Sequence, residues 1–284
     1  MAVRPATLAA SVAPVLAGTA VAVYEGGARP WAGIGALVVA LAMQIGVNFA
    51  NDYSDFIRGA DSPRRVGPLR AAASGVVAPE RVELAAIVSF GVAGATGVVL
   101  SLATDWRLVF VGAACLLAGW LYTGGPRPYG YLGLGELFVF VFFGLIATAG
   151  TVYVETLRIT PLAILAGCGL GLLASAILVL NNLRDIETDA AAGKRTLATR
   201  IGPGPTRILL LVLVSAAFAV PIVILVSRLA GATIMLVHFG IPIAAVPVRT
   251  AFATRSSTEL VGALKRMAAA ELAYALLMTA GLLV

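Results

Sequence analysis

In PLAILAGCGLGLLASAILVLNNLRDIETD, residues 161–189, an uncharged apolar run ends directly in amides and acids, the pattern of a membrane helix that delivers polar groups to one face. Crossing a bilayer takes about 20 mostly apolar residues, and segment 161–181 supplies them. A second run has the same plan: segment 31–50 gives way to NFANDYSD (48–55), with Asp61 beyond. On an α-helix Asn48 and Asp52 are four residues apart, as are Asp185 and Asp189, so each pair presents its oxygens from one face. Asp55 joins the first stripe. Charge is costly within a membrane, so acids gathered at two helix ends point to a site rather than to idle surface. Hard divalent cations take such oxygen ligands, and Mg²⁺ typically uses one or two carboxylates plus substrate phosphates.

Working outward, the whole chain shares this character. It is 60% hydrophobic and only 12% charged, with a mean hydropathy of +0.97, against roughly 25% charged residues in soluble domains. Nine candidate spans follow: 6–24, 31–50, 82–104, 107–123, 134–154, 161–181, 207–227, 230–248 and 264–284. The first is long and runs straight into the bundle, so no cleavable signal is expected. The expected fold is all-α: one polytopic domain over 1–284, a membrane bundle of nine transmembrane helices around a central cavity opening to the cytoplasmic side.

Charge placement fixes the expected orientation. With the N-terminus cytoplasmic, all the lysines and arginines fall inside except Arg29, Arg107, Arg158 and Arg228. That is a strong positive-inside bias, and it favours nine spans over eight or ten. The chain then sits in the cell membrane with its C-terminus outside and its active site facing the cytoplasm. The net charge of +6 is thereby accounted for by topology, and no nucleic acid partner or obligate protein partner is implied. Spans two and six both end on the cytoplasmic side, so the two acid clusters can meet.

The remaining polar residues divide by position. Cys115 and Cys168 lie inside spans and read as core residues, and one histidine leaves no His-rich metal site. Lys194 and Arg195 follow Asp189 closely enough to fold back over a phosphate, Arg as a bidentate donor and Lys as a point charge; setting topology is their competing role. Arg58, Arg70 and Arg127 are further phosphate candidates. Asn48 and Asn181 lie deeper, facing either substrate or a neighbouring helix. Tyr122, Tyr129 and Glu136 flank a stretch stiffened by two prolines and are candidate bases by location. Gln44 is placed on the cavity face, His238 as an internal hydrogen-bonding group, and Glu271 as a partner for Lys265 or Arg266. The Gly-Pro-Gly-Pro run 202–205 is expected to stop one helix before Thr206 caps the next.

These motifs resemble those of the UbiA-type intramembrane prenyltransferases, over essentially the whole chain. Asn48/Asp52 and Asp185/Asp189 match the family's Asn-x-x-x-Asp and Asp-x-x-x-Asp motifs. The words NDYSDFIRGAD (51–61), GPLR (67–70), RPYGYLGLGE (127–136) and KRTL (194–197) are similar to those of its 1,4-dihydroxy-2-naphthoate branch, which serves menaquinone synthesis. The resemblance implies transfer of a prenyl group from polyprenyl diphosphate to that aromatic acid, with loss of diphosphate and carbon dioxide to give a demethylmenaquinone. It implies two Mg²⁺ ions bridging the diphosphate, held by Asp52, Asp185, Asp189 and one or both of Asp55 and Asp61. Catalytic weight falls on Asp52, Asp185, Lys194 and Tyr122, with substrate held by Asn48, Asn181, Arg58, Arg70, Arg127, Tyr129, Glu136 and Arg195. The lipid bilayer delivers the tail. Other acceptors (4-hydroxybenzoate, homogentisate, a tetrapyrrole, a phosphosugar) are the rivals within the family. A cation-coupled transporter is the rival outside it, disfavoured because its acids normally sit mid-membrane at broken helices.

Overall fold

The computed structural model describes residues 5–59, 71–126 and 128–284, and every regular element among them is helical. Asp61, Arg70 and Arg127, expected at the site, lie outside the described residues. The helices are α1 (Pro5–Tyr24), α2 (Pro30–Ile57), α3 (Pro79–Ala103), α4 (Leu108–Leu121), α5 (Gly135–Thr156), α6 (Pro161–Arg184), the short α7 (Ile186–Ala191) and α8 (Leu197–Ile201), then α9 (Pro203–Val226), α10 (Ala232–Ala253) and α11 (Ser257–Leu283).

Eight of these are long and apolar enough to cross a membrane: α1, α2, α3, α5, α6, α9, α10 and α11. The expected fourth span, 107–123, is the 14-residue α4. At 1.5 Å per residue it covers about 21 Å, less than a hydrocarbon core of roughly 30 Å, so the turns at its two ends carry the rest of the passage by which α2 and α6 come to end on the same side. A turn in which the Arg107 N–H donates to Asp105 Oδ1 (3.0 Å) precedes it, and the Gly124-Gly125-Pro126 break follows it.

Helix starts follow from proline and threonine. Proline opens α2, α3, α6 and α9, where its missing N–H would have had no partner anyway. Thr160 caps α6 by accepting the Ala163 N–H at 3.2 Å. At α9 the expectation from Gly-Pro-Gly-Pro is corrected. The helix begins at Pro203, not after Pro205, because prolines in a first turn cost no hydrogen bond. Gly202, at φ +79°, makes the turn into it, and Thr206 lies inside the helix with its hydroxyl donating to Gly202 O at 2.6 Å.

α6 is the most buried span and packs against α5, α9 and α11. Its contact with α5 is backbone to backbone. A Cβ on Gly144 would fall 2.3 Å from Gly171 Cα, and small residues of this kind let membrane helices approach closely. α5 runs through a π-helical turn at Phe140–Ile146 around that crossing. The main core, with Leu170, Leu173, Leu180, Met267 and Tyr274 fully buried, lies among α1, α5, α6, α9, α10 and α11. By contrast α3 and α4 leave Leu84, Ile87, Val99, Leu102, Phe110 and Leu117 exposed, the surface expected of helices against lipid. Between the two groups lies a cavity of about 1270 Å³.

Candidate active site

The cavity walls are mostly apolar, with Val39, Met43, Leu116, Phe142, Ile177 and Leu272 among them, and its polar lining includes Asn48, Asn51, Tyr122, Tyr129, Asn181 and Arg184. Asp52, Asp55, Asp185 and Asp189 do not line the cavity; they follow those amides along the chain. α2 continues unbroken through Asn48, Asp52 and Asp55 to Ile57, so the expected stripe is present on one helix. α6 behaves differently. It ends at Arg184, Asp185 takes φ −99° and ψ 9°, and α7 restarts at Ile186. The Asp189 N–H still donates to Asp185 O at 2.8 Å, which keeps the two acids on neighbouring turns.

The two clusters meet. Lys194 Nζ lies 2.9 Å from Asp55 Oδ1 on α2 and 3.8 Å from Asp189 Oδ1 on α7. Asp55 Oδ1 also accepts from the Tyr131 hydroxyl at 2.5 Å. The Tyr131 ring lies 4.7 Å from Lys194 Nζ and 5.5 Å from the Arg58 guanidinium, two cation–π contacts on one ring. Burial, and then the Asp55 charge, pushes the Tyr131 phenol well above its ordinary value. Asp52 Oδ2 accepts the Ala71 N–H at 2.8 Å, whereas Asp52 Oδ1 is buried with no hydrogen-bond partner among the described residues. Asp185 is held by Arg184, whose Nε donates to Oδ1 at 2.7 Å and whose Nη2 bonds Oδ2. Among the described residues no group of three or more acids, histidines or cysteines is placed to hold a metal ion. Lys194 and Arg184 stand among the carboxylates instead.

The other expected residues divide. Asn48 donates to Thr7 Oγ1 (3.0 Å) and accepts from Gln44 (3.2 Å), and Ser11 bonds Gln44 in turn (3.2 Å), so this amide ties α1 to α2 at the cavity wall. Asn181 Oδ1 accepts from Arg184 at 2.9 Å. Glu136 Oε1 accepts from Asn182 at 2.9 Å, while its Oε2 is buried without a partner among the described residues. The Tyr122 and Tyr129 rings meet edge-on at 5.5 Å, and Tyr129 stacks on Phe138 at 4.0 Å. The Tyr129 hydroxyl donates to Ala118 O at 2.8 Å. Arg58 is exposed and bonds Gly125 O. Arg195 is exposed, and its backbone N–H rather than its side chain joins the site, donating to Tyr131 O at 3.1 Å. Glu271 pairs with neither Lys265 nor Arg266; it is fully buried and both its oxygens lack partners among the described residues. His238 is an internal hydrogen-bonding group, with Nδ1 3.3 Å from Met235 O. Both cysteines are free. Sequence reasoning gave no role at the site to Arg184, Tyr131, Asn51 or Thr123, the last bonding Asn51 Oδ1 at 2.6 Å.

Comparison with known proteins fits this arrangement. A 1,4-dihydroxy-2-naphthoate octaprenyltransferase of Mycobacterium tuberculosis is 49% identical over 72% of this chain and 70% of its own. One from Haemophilus influenzae is 34% identical over 99% of this chain and 94% of its own. The fold is shared with a UbiA homolog from Archaeoglobus fulgidus bound to DMAPP and Mg²⁺, at a TM-score of 0.63 and 16% identity over 97% of both chains. The match to the UbiA prenyltransferase family runs over residues 11–270, taking in both acid clusters, and the chain belongs to that family.

Proposed function

We propose that this chain transfers a polyprenyl group from polyprenyl diphosphate to 1,4-dihydroxy-2-naphthoate, releasing diphosphate and carbon dioxide. The observation that carries the reading is the meeting of two acid clusters beside a long apolar cavity with polar groups in its wall. The kinship to octaprenyltransferases over most of the chain supports the acceptor.

A divalent cation suits the residues present. The acids offer only hard oxygen donors, and Asp52 Oδ1 is a buried acceptor awaiting a partner. In this reading Asp52 and Asp55 on α2, with Asp185 and Asp189 from the second cluster, would hold two Mg²⁺ ions; the Mg²⁺ bound by the fold neighbour supports use of a divalent metal. When bound, Mg²⁺ supplies neutralisation of the charge that develops on the departing diphosphate. The chain does the rest. Lys194 and Arg58 add fixed positive charge beside the acids. Asn181 and Asn48 set the polar rim. The Tyr122, Tyr129 and Phe138 rings line the cavity, where they would shield an allylic cation from water and hold an electron-rich ring against it. The apolar cavity takes the tail, each CH₂ gaining about 0.8 kcal/mol on leaving water. The N-terminus and the site face the cytoplasm in this reading, with the C-terminus outside.

The test is direct. Purified protein with Mg²⁺, polyprenyl diphosphate and 1,4-dihydroxy-2-naphthoate is expected to release diphosphate and form prenylated product. 4-Hydroxybenzoate and homogentisate are expected to react far more slowly. Equal turnover with either would overturn the choice of acceptor while leaving prenyl transfer intact.

A further inference from the structure

The cavity wall carries charge of one sign only. Among the described residues that line it two are charged, Arg184 and Lys265, and both are positive. Arg184 is committed to Asp185 and Asn181. Lys265 has no hydrogen-bond or ion-pair partner among the described residues. Glu271, the next acid along α11, is fully buried and does not pair with it. Lys265 lies inside the spanning helix Ser257–Leu283, where a charge is costly and normally faces a cavity and an opposite charge. It is exposed as well as cavity-lining, so it stands at an edge of the cavity. The start of α11 is tied to the end of α6, because Ser257 Oγ donates to Arg184 O at 3.4 Å. Lys265 is eight residues on from Ser257, about 12 Å along the helix. A fused ring fits between the acid end and this lysine, against Val261, Leu264 and Ala268 of the same wall.

We propose that Lys265 is the anion anchor for the acceptor: its ammonium takes the carboxylate of 1,4-dihydroxy-2-naphthoate and so selects carboxylated rings. The inference deepens the functional reading and rests on it. The acceptor brings one group that an apolar wall cannot satisfy, and a carboxylate taken out of water without a partner is costly. A lysine supplies a compact counter-charge on a flexible stem, and in apolar surroundings the attraction is far stronger than in water. The diphosphate is held at the acid end in this reading, so the two anions have separate partners. The carboxyl group leaves as carbon dioxide in the proposed reaction, so the product has nothing for Lys265 to hold. The competing role for a lysine here is to set the orientation of α11 in the membrane, and that role gives no preference among acceptors.

The experiment gives full-length protein in detergent, with Mg²⁺ and polyprenyl diphosphate, either 1,4-dihydroxy-2-naphthoate or 1,4-dihydroxynaphthalene, the same rings without the carboxylate. Wild type is expected to favour the carboxylated acceptor. Lys265→Met is expected to raise the KM for that acceptor at least about tenfold, the scale of a hydrogen bond to a charged group. Its KM for polyprenyl diphosphate and its use of the neutral acceptor are expected to match wild type. Lys265→Gln, polar but uncharged, is expected to behave like the methionine variant, and Lys265→Arg to recover most of the preference. An unchanged naphthoate KM in both neutral variants overturns the inference while leaving prenyl transfer to the naphthoate intact. So does an equal loss with both acceptors, or a raised KM for polyprenyl diphosphate in place of the acceptor. Wild type that uses the two acceptors equally well overturns it without any variant. If wild type prenylates no naphthoate at all, the functional reading fails and this inference with it.

Discussion

Arg184 and Asp185, neighbours in the chain, form a two-contact ion pair because α6 ends between them. Consecutive residues of a continuing helix do not face each other; the break at Asp185 turns its carboxylate back onto the preceding guanidinium. Both side chains are almost wholly buried, 3% and 7% exposed. Removing one partner of such a pair costs up to about 3–5 kcal/mol, because the other buried charge loses its two-contact counterion. Arg184→Gln is therefore expected to lower the thermal midpoint of the detergent-solubilised protein sharply. Mg²⁺ should restore more of it than in wild type, since a bound cation answers Asp185 in place of the lost arginine. Equal midpoints with and without Mg²⁺ in the variant would count against Asp185 as a ligand. Arg184→Lys keeps the charge but loses the fork, and is expected to fall between.

Tyr131 does two things at once, and two substitutions separate them. Tyr131→Phe deletes the hydroxyl that donates to Asp55 and keeps the ring near Lys194; Tyr131→Ala deletes both. A hydrogen bond to a charged group is worth about 1.5–3 kcal/mol, and the exposed-site cation–π contact about 0.5–1 kcal/mol. The phenylalanine variant is expected to lose most of the effect and the alanine variant slightly more. Steady-state kinetics at varied polyprenyl diphosphate would show it as a raised KM with a smaller change in kcat. A KM unchanged in both variants would mean that the Tyr131 contact plays no part in holding the site.

The ends of α2 and α6 were readable in the sequence because amides and acids interrupt long apolar runs there. Their convergence was readable too, since the distribution of arginines put both ends on one side. Several features of the site were not. Arg184 counted only as one more topology-setting charge, because helical geometry forbids the contact it makes; the helix break that permits it has no glycine or proline to announce it. Tyr131 reaches Asp55 only once the chain folds back through a 3₁₀ turn at Tyr129–Leu132, a placement that no spacing rule gives. The shortness of α4 was hidden by apolar residues on both sides of a turn that a hydrogen bond to Asp105 sets. The π-helical turn in α5 lies where Gly144 meets Gly167 and Gly171 of α6, a crossing that no spacing rule gives.

That glycine crossing gives a stability prediction. A methyl group on Gly144 would lie 2.3 Å from Gly171 Cα and 2.6 Å from Gly167 O, both backbone atoms that cannot rotate away. Overpacking of this kind costs about 1–3 kcal/mol or more. Gly144→Ala is expected to lower the thermal midpoint and loosen the seam between α5 and α6. Gly150→Ala, where a methyl group meets nothing within 4 Å, is expected to leave stability unchanged. Equal midpoints for the two variants would mean that α5 and α6 do not cross this closely.

Asp52 separates stability from activity most cleanly. Its Oδ2 accepts the Ala71 N–H, while its Oδ1 is buried and unanswered among the described residues. An acceptor left in that state costs about 1–3 kcal/mol, more when charged, and on the proposed reading a bound cation would satisfy it. Asp52→Asn removes the uncompensated charge while keeping the shape. It is expected to leave the metal-free protein as stable as wild type or more so, and to lose turnover by at least about 10²–10³-fold, the scale seen when one electrostatic stabiliser is removed. Asp185→Ala should share the loss of turnover without the gain in stability. Treating wild type with a chelator should reproduce the kinetic defect, and added Mg²⁺ should reverse it in wild type alone. Turnover that survives both substitutions and the chelator would leave the acids without a part in the chemistry.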